Sequence, residues 1–224
     1  MEAGRPGGAG GAGAREADVA PAPRDPTGGR SAGWTPADPG PLGLAAFAGT
    51  TFILSMINAN LVAGPLADVP VVLGMALAYG GLAQLLAGMW EFRTGNTFGA
   101  VAFTSYGAFW ISFYILVKVG LPLLPKGHVD TALGLYLWTW AIFTTYMFVA
   151  SLRTTGAVAL VFFLLAITFI LLGIRNSGAS TNTIKLGGYV GIATAIAAWY
   201  ASFAAVINST FGRVVAPVFP LRRD

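Results

Sequence analysis

The side chains that could act on a solute are few, and where they would meet one they are uncharged. In the stretch 42–63, Thr50, Thr51 and Asn58, and less centrally Ser55, recur with Phe47 at helical spacing and define one face. Gln84 follows, with Gly80 and Gly88 four residues to either side and Glu91 seven residues beyond. Asn96 and Thr97 open the next apolar stretch within the motif GNTFG, which continues to Thr104, Ser105 and Tyr106. Hydroxyl and amide groups can hydrogen-bond a small solute. Bond-breaking chemistry would need more than these. The chain has no cysteine, which excludes disulfides and thiolate metal sites, and a single histidine, His128. It carries no HExxH, no GxSxG, no phosphate-binding loop and no dinucleotide fingerprint. The expectation is a non-enzyme without metal or cofactor.

The charges show which elements must position these groups. Of the 224 residues 55% are hydrophobic and 10% charged, against roughly 25% charged in an ordinary soluble domain. Six windows hold no Asp, Glu, Lys or Arg at all: 39–67, 69–90, 94–117, 131–152, 154–174 and 186–212. Each exceeds the ~20 residues that carry a helix across a ~30 Å hydrocarbon layer. Stretches such as Val158 to Ile174 are continuously apolar, which excludes the alternating segments of a membrane barrel. The fold class is therefore all-α, a polytopic membrane protein with six transmembrane helices near 42–63, 69–90, 97–120, 132–151, 155–174 and 186–208. An even number of crossings places both termini on one side. That side collects nine arginines and the other only Lys118, Lys126, Arg175 and Lys185, so both termini are expected in the cytoplasm.

Residues 1–37 read as a disordered cytoplasmic tail, because the first 40 residues hold 10 Gly and 6 Pro. The six-helix transmembrane domain is expected over 38–217 and a short basic tail over 218–224. The arginines of the N-terminal tail alternate with Glu2, Glu16, Asp18 and Asp25, and no nucleic-acid-binding module accompanies them.

Small residues at four-residue spacing in a membrane helix mark helix contact or a lined path, and Gly187, Gly191 and Ala195 fit packing or subunit contact. Asn58 and Gln84 are costlier to bury, and each either lines a pathway or bonds a neighbouring helix. Glu91, beside Arg93 at the cytoplasmic mouth, reads as a solvated or paired carboxylate, and His128 as an ordinary loop histidine. No Asp, Glu, Lys, Arg or His falls near the middle of a span, which excludes a midplane carboxylate relay and a charged selectivity ring. A solute crossing here is small and nearly neutral in transit. An organic anion would need uncharged donors or helix N-termini facing it, and those of the first and third spans open on the cytoplasmic side.

Several motifs in one order carry a family resemblance: DPGPLGL at Asp38 to Leu44, FAGTTF at Phe47 to Phe52, and YGGLAQLLAGMWEF at Tyr79 to Phe92. GNTFG, AFTSYGAFW at Ala102 to Trp110, and FGR at Phe211 to Arg213 follow. Over about 38–217 the sequence resembles the acetate uptake transporter family, which includes the succinate-acetate permeases. The resemblance implies a six-helix protomer, a homohexamer, and a permease or channel in the plasma membrane. Its substrates would be acetate and related short carboxylates, succinate among them, crossing either as the rare neutral acid or as an anion accompanied by a proton, through a channel or a proton-coupled symporter. It also implies a constriction of a Phe, a Tyr and a Leu, which by motif position are Phe47, Tyr106 and Leu165. Polar groups along the path would be Thr50, Thr51, Asn58, Gln84, Asn96, Thr97 and Ser105. Where the family has Asn before Pro, this chain has Asp38. Read from the residues alone, a channel for a small neutral solute such as ammonia fits the missing midplane charge equally well, and a membrane sensor or scaffold without flux is a third possibility.

Overall fold

An apolar stretch inside a bilayer has to satisfy its amide groups within itself, and in this chain it does so as helices. The structure is a computed structural model that describes residues 34, 36–62, 70–125, 127–176 and 180–221. Helix α1 is Gly40–Asn58, α2 Val71–Thr94, α3 Thr97–Leu123, α4 Val129–Ser151, α5 Gly156–Asn176 and α6 Thr181–Phe211. All six are long and apolar enough to cross a membrane.

The element ends differ from the sequence reading for local reasons. After α1 the chain turns at Asn60, whose φ of 57° no helix continues through. Helix α6 begins earlier than the charge-free window suggests because the Ser180 hydroxyl accepts from Asn182 N and caps it. Helix α3 runs on through a π-helical stretch, Leu116–Gly120, to Leu123, into the segment that reads as a loop. The disorder expected over 1–37 concerns residues that, apart from 34, 36 and 37, lie outside the described ones. The segment set apart as a C-terminal tail is joined to the helices. Thr155 and Pro220 form an antiparallel bridge, with Gly156 N donating to the Phe219 carbonyl at 2.6 Å.

The helices form a ring. Helix α1 packs on α6, α6 on α5, α5 on α4, α2 on α3 and α1, and a lighter contact between α3 and α4 completes the circuit. The centre is aromatic: Phe47, Tyr106, Phe109, Trp110, Phe162 and Phe169 are all buried there with Leu165. The outside is apolar too, with Leu135 72% and Ile142 69% exposed, as a bilayer-facing surface requires. The small-residue stripes serve packing. Gly191 lies against Ser55 of α1, and Gly187 against Leu172 of α5. The stripe in α2 does not present one face. A π-helical turn, Ala78–Ala83, interrupts the helix, so Gly80 abuts Thr50 of α1 while Gly88 abuts Thr104 of α3.

Candidate functional site

Three helices start at one end of the ring, and their first residues are held by local bonds. At α1, Gly40 N donates to Asp38 Oδ1 at 2.8 Å. Gly95, at φ 81°, ends α2 in the left-handed conformation that glycine adopts without a Cβ penalty. The reversal puts Asn96 at the start of α3, where its side chain accepts from Gly99 N at 3.1 Å. At α5, Val158 N donates to Thr155 Oγ1 at 3.3 Å. These three starts, with Glu91, Phe98, Phe162, Asn208 and Val218, line a cavity of about 340 Å³.

Of the two states expected for Glu91, solvated or paired, burial removes the first. The residue is 2% exposed, and the Thr94 hydroxyl lies 3.1 Å from its Oε2 and 2.9 Å from its backbone carbonyl. The cause is the tight turn between α2 and α3, which folds α3 over the carboxylate: a Cβ on Gly99 would meet Glu91 Oε1 at 2.6 Å. Asp38 joins it at the cavity wall. Glu91 stands seven residues beyond Gln84, roughly 10 Å along the helix at 1.5 Å per residue, so the carboxylate belongs to the vestibule and not to the narrow level of Gln84.

Deeper in the ring the space closes. A cavity of about 20 Å³ is lined by Leu44, Phe47, Gln84, Tyr106, Phe162 and Leu165 among others, little more than the room one water needs. The three residues expected at a constriction are thus brought together, with the Phe47 and Tyr106 ring centroids 5.7 Å apart. The Thr144 hydroxyl donates to the Trp140 carbonyl at 2.7 Å, so at 2.8 Å it accepts the Tyr106 hydroxyl proton. The phenol is thereby committed to α4, and its ring is left for the narrow contact. Beyond lies a third cavity of about 50 Å³, lined by Thr51, Ser55, Asn58, Trp110 and Thr168 among others. Phe47 and Leu165 line both small cavities, and Leu44, Ala102, Phe103 and Phe162 line both the large one and the narrow one. The three spaces therefore follow one another through the ring.

The polar groups divide accordingly. Asn96 and Glu91 line the vestibule, Gln84 the narrow cavity, and Thr51 and Asn58 the far one. Thr50, Thr97 and Ser105 line none of the three. Thr50 stands about 60° round α1 from Phe47 at 100° per residue, and this turns it onto Gly80 of α2, where its hydroxyl donates to the Ala46 carbonyl at 3.0 Å. Thr97 is exposed in the first turn of α3, and Ser105 is half-buried. Sequence reasoning missed Thr144, Thr168 and Trp110, although Thr144 and Thr168 are visible in the sequence as hydroxyl residues mid-span. Among the described residues, four buried polar atoms have no hydrogen-bond partner: Thr51 Oγ1, Gln84 Oε1, Thr104 Oγ1 and Trp110 Nε1. An unmade bond of this kind costs about 1–3 kcal/mol. Three of the four belong to residues lining the two small cavities, one before the Phe47–Leu165 wall and two after it.

Residues 30–223 match the model of the GPR1/FUN34/yaaH family. The chain belongs to this family. As a member of the GPR1/FUN34/yaaH family it is a multi-pass membrane protein, as its six apolar helices require. It is 44% identical over 197 residues to acetate permease A of Emericella nidulans, covering 81% of this chain and 65% of that one. It is 38% identical over 185 residues to the succinate-acetate/proton symporter SatP of Escherichia coli K12, covering 81% of this chain and 95% of SatP. The chain thus spans under two thirds of the fungal permease and nearly all of the bacterial one. Its fold superimposes on the solved structure of the bacterial acetate channel SatP with a TM-score of 0.76 at 37% identity, covering 82% of this chain and 99% of that one. The family resemblance read from the motifs therefore holds.

Proposed function

We propose that the protein carries acetate and related short carboxylates, succinate among them, across the plasma membrane through each protomer, with a proton accompanying the anion and both termini in the cytoplasm. The observation that carries this reading is the succession of three cavities divided by an uncharged wall of Phe47, Tyr106 and Leu165, with unpartnered polar atoms on both sides of it. The relatives named as acetate permease and succinate-acetate/proton symporter support the substrate. The motif resemblance adds a homohexamer, in which neighbouring copies and lipid would share the exposed apolar sides of the helices.

The chemistry follows from the wall. A hydrated carboxylate passing Phe47 and Leu165 would lose water without gaining a charged partner, at a cost of several kcal/mol. A carboxylic acid with a pKa near 4 is neutral in roughly one molecule per thousand at pH 7, and the neutral form avoids most of that cost. Gln84 offers an amide to it at the narrow level, and Thr51 and Trp110 offer a hydroxyl and an indole N–H beyond.

Radiolabelled acetate uptake into proteoliposomes with an imposed pH gradient tests the reading directly. Uptake is expected to follow the inward proton gradient and to collapse with an uncoupler. Absent acetate uptake alongside rapid ammonia flux would replace this reading with that of a channel for a small neutral solute. A further expectation concerns Gln84→Leu, which removes a buried carbonyl oxygen that has no partner. Acetate uptake should fall at least ~tenfold, the loss of one hydrogen bond to the solute, while the melting temperature in detergent holds or rises. Unchanged uptake would take Gln84 out of the path.

A further inference from the structure

After α6 the chain turns back over the vestibule as an irregular strap, residues 214–221, and the side chain of Asn208 holds its near end. Asn208, in the last turn of α6, accepts from Val215 N at 2.7 Å and from Ala216 N at 2.9 Å through Oδ1, and donates from Nδ2 to the Ala216 carbonyl at 2.8 Å. All three bonds go to the strap. Tyr200 adds one more, its hydroxyl donating to the Pro217 carbonyl at 2.7 Å. The far end of the strap is latched to the start of α5. The Phe219 and Val218 carbonyls accept from Gly156 N at 2.6 Å and Ala157 N at 3.2 Å, and Leu221 N donates to the Thr154 carbonyl at 3.0 Å. Those α5 amides would otherwise be orphan donors of a helix start.

The strap also bounds the space a solute enters. Val218 lines the 340 Å³ cavity, as do Thr154 and Thr155 from the turn it is latched to and Asn208 itself. Apolar burial holds it mainly at Ala216, which is 8% exposed, since Val214 is 77% and Phe219 60% exposed. Hydrogen bonds therefore set where this wall stands, and Asn208 supplies those at its α6 end, with Tyr200, while the latch to α5 holds the other.

We propose that the strap is a wall of the solute vestibule and that Asn208 is its positioning residue, controlling how well the vestibule receives solute without acting on the narrow passage beyond. The inference rests on the transport reading above and deepens it. Displacing the wall widens the vestibule and loosens its hold on a small acid, which raises KM. The Phe47–Tyr106–Leu165 wall, built by α1, α3 and α5, is untouched, so the maximal rate stays.

The experiment uses Asn208→Ala in the full chain, reconstituted in proteoliposomes. The KM for acetate is expected to rise at least threefold with the maximal rate per folded protein within twofold of the parent. A purely structural loss would lower the maximal rate and leave KM where it was, and that result overturns the proposal. The cysteine-free chain allows a lock as well. Thr155 and Pro220 are a non-hydrogen-bonded antiparallel pair, whose Cα atoms lie ~4.5 Å apart in ordinary geometry, within disulfide reach. Asn208→Ala combined with Thr155→Cys and Pro220→Cys should show, when oxidised, the KM of the oxidised chain carrying the two cysteines alone, and after dithiothreitol a KM at least threefold above that of the reduced two-cysteine chain; the same KM in both states overturns the proposal. A readout independent of transport separates this failure from that of the transport reading. Ala205 lines the vestibule, and Ala205→Cys supplies a single thiol there for a water-soluble maleimide. That thiol should react at least threefold faster when Asn208→Ala accompanies it than in the otherwise parental chain. Equal rates would overturn the strap as a wall even in a protein that moves acetate.

Discussion

Phe47→Ala is expected to speed acetate uptake about tenfold and to erase much of the discrimination against larger acids. Phe47 is 4% exposed and lines both the 20 Å³ and the 50 Å³ cavities, so its ring is the partition between them. Removing it joins the two spaces and lets water accompany the solute past Leu165. A tenfold gain corresponds to about 1.4 kcal/mol off the barrier, well within the several kcal/mol that dehydrating a carboxylate costs. The same change removes the ring that Tyr106 packs against, so some stability is lost, and rates have to be compared per folded protein. Initial uptake of acetate, propionate and butyrate into proteoliposomes, each measured for parent and variant, checks it. Unaltered rates and ratios would mean that the narrow level lies elsewhere.

Gly88→Leu should remove the folded protein from detergent extracts. The helices α2 and α3 approach so closely at this point that a Cβ on Gly88 would run into the backbone N and the side-chain oxygen of Thr104, with Thr104 Cα at 2.9 Å. Backbone cannot rotate aside as a side chain can, so the helices must part. Overpacking typically costs about 1–3 kcal/mol, and a clash with main chain belongs at or above the top of that range, a large share of a marginal stability. Parting α2 from α3 would also disturb the Glu91–Asn96 turn at the vestibule. Gly74→Ala in the same helix is the control, because a Cβ there meets nothing within 4 Å. Yield and melting temperature by size-exclusion fluorescence should match the parent for Gly74→Ala and collapse for Gly88→Leu; equal behaviour of the two variants would refute the close approach.

The Asn208 bonds and the Gln84 amide illustrate two ways in which polar groups are used in this fold. Asn208 directs all three of its bonds to the strap, which gives the vestibule a defined edge. Gln84 is 1% exposed with its carbonyl oxygen unpartnered, an arrangement that stability alone disfavours. In the transport reading proposed above, a passing acid would supply the missing partner.

The spacing of charges by itself determined that six helices cross a bilayer, because a charge-free window of more than ~20 residues has no other stable state there. The ordered motifs determined the family, and with it that Phe47, Tyr106 and Leu165 belong together. The helical period also placed Phe47, Thr51 and Asn58 correctly on one face, since all three line the same small cavity. It could not say how far that face extends: Thr50 falls just outside it and turns to Gly80. In α2 the π-helical turn changes the angular step, so a four-residue stripe that reads as one face is split between α1 and α3. Glu91 reads as an interfacial carboxylate because nothing local to it reports that α3 folds back over it. What Thr144 and Asn208 bond is hidden in the sequence for the same reason, as their partners lie 38 and eight residues away and are set by how helices and strap are packed. Periodicity and charge are properties of neighbours in the chain, and they fix which residues lie in the membrane. Which of them enclose a cavity, and which polar atoms are left without a partner, depends on contacts between segments, and only the packed ring decides that.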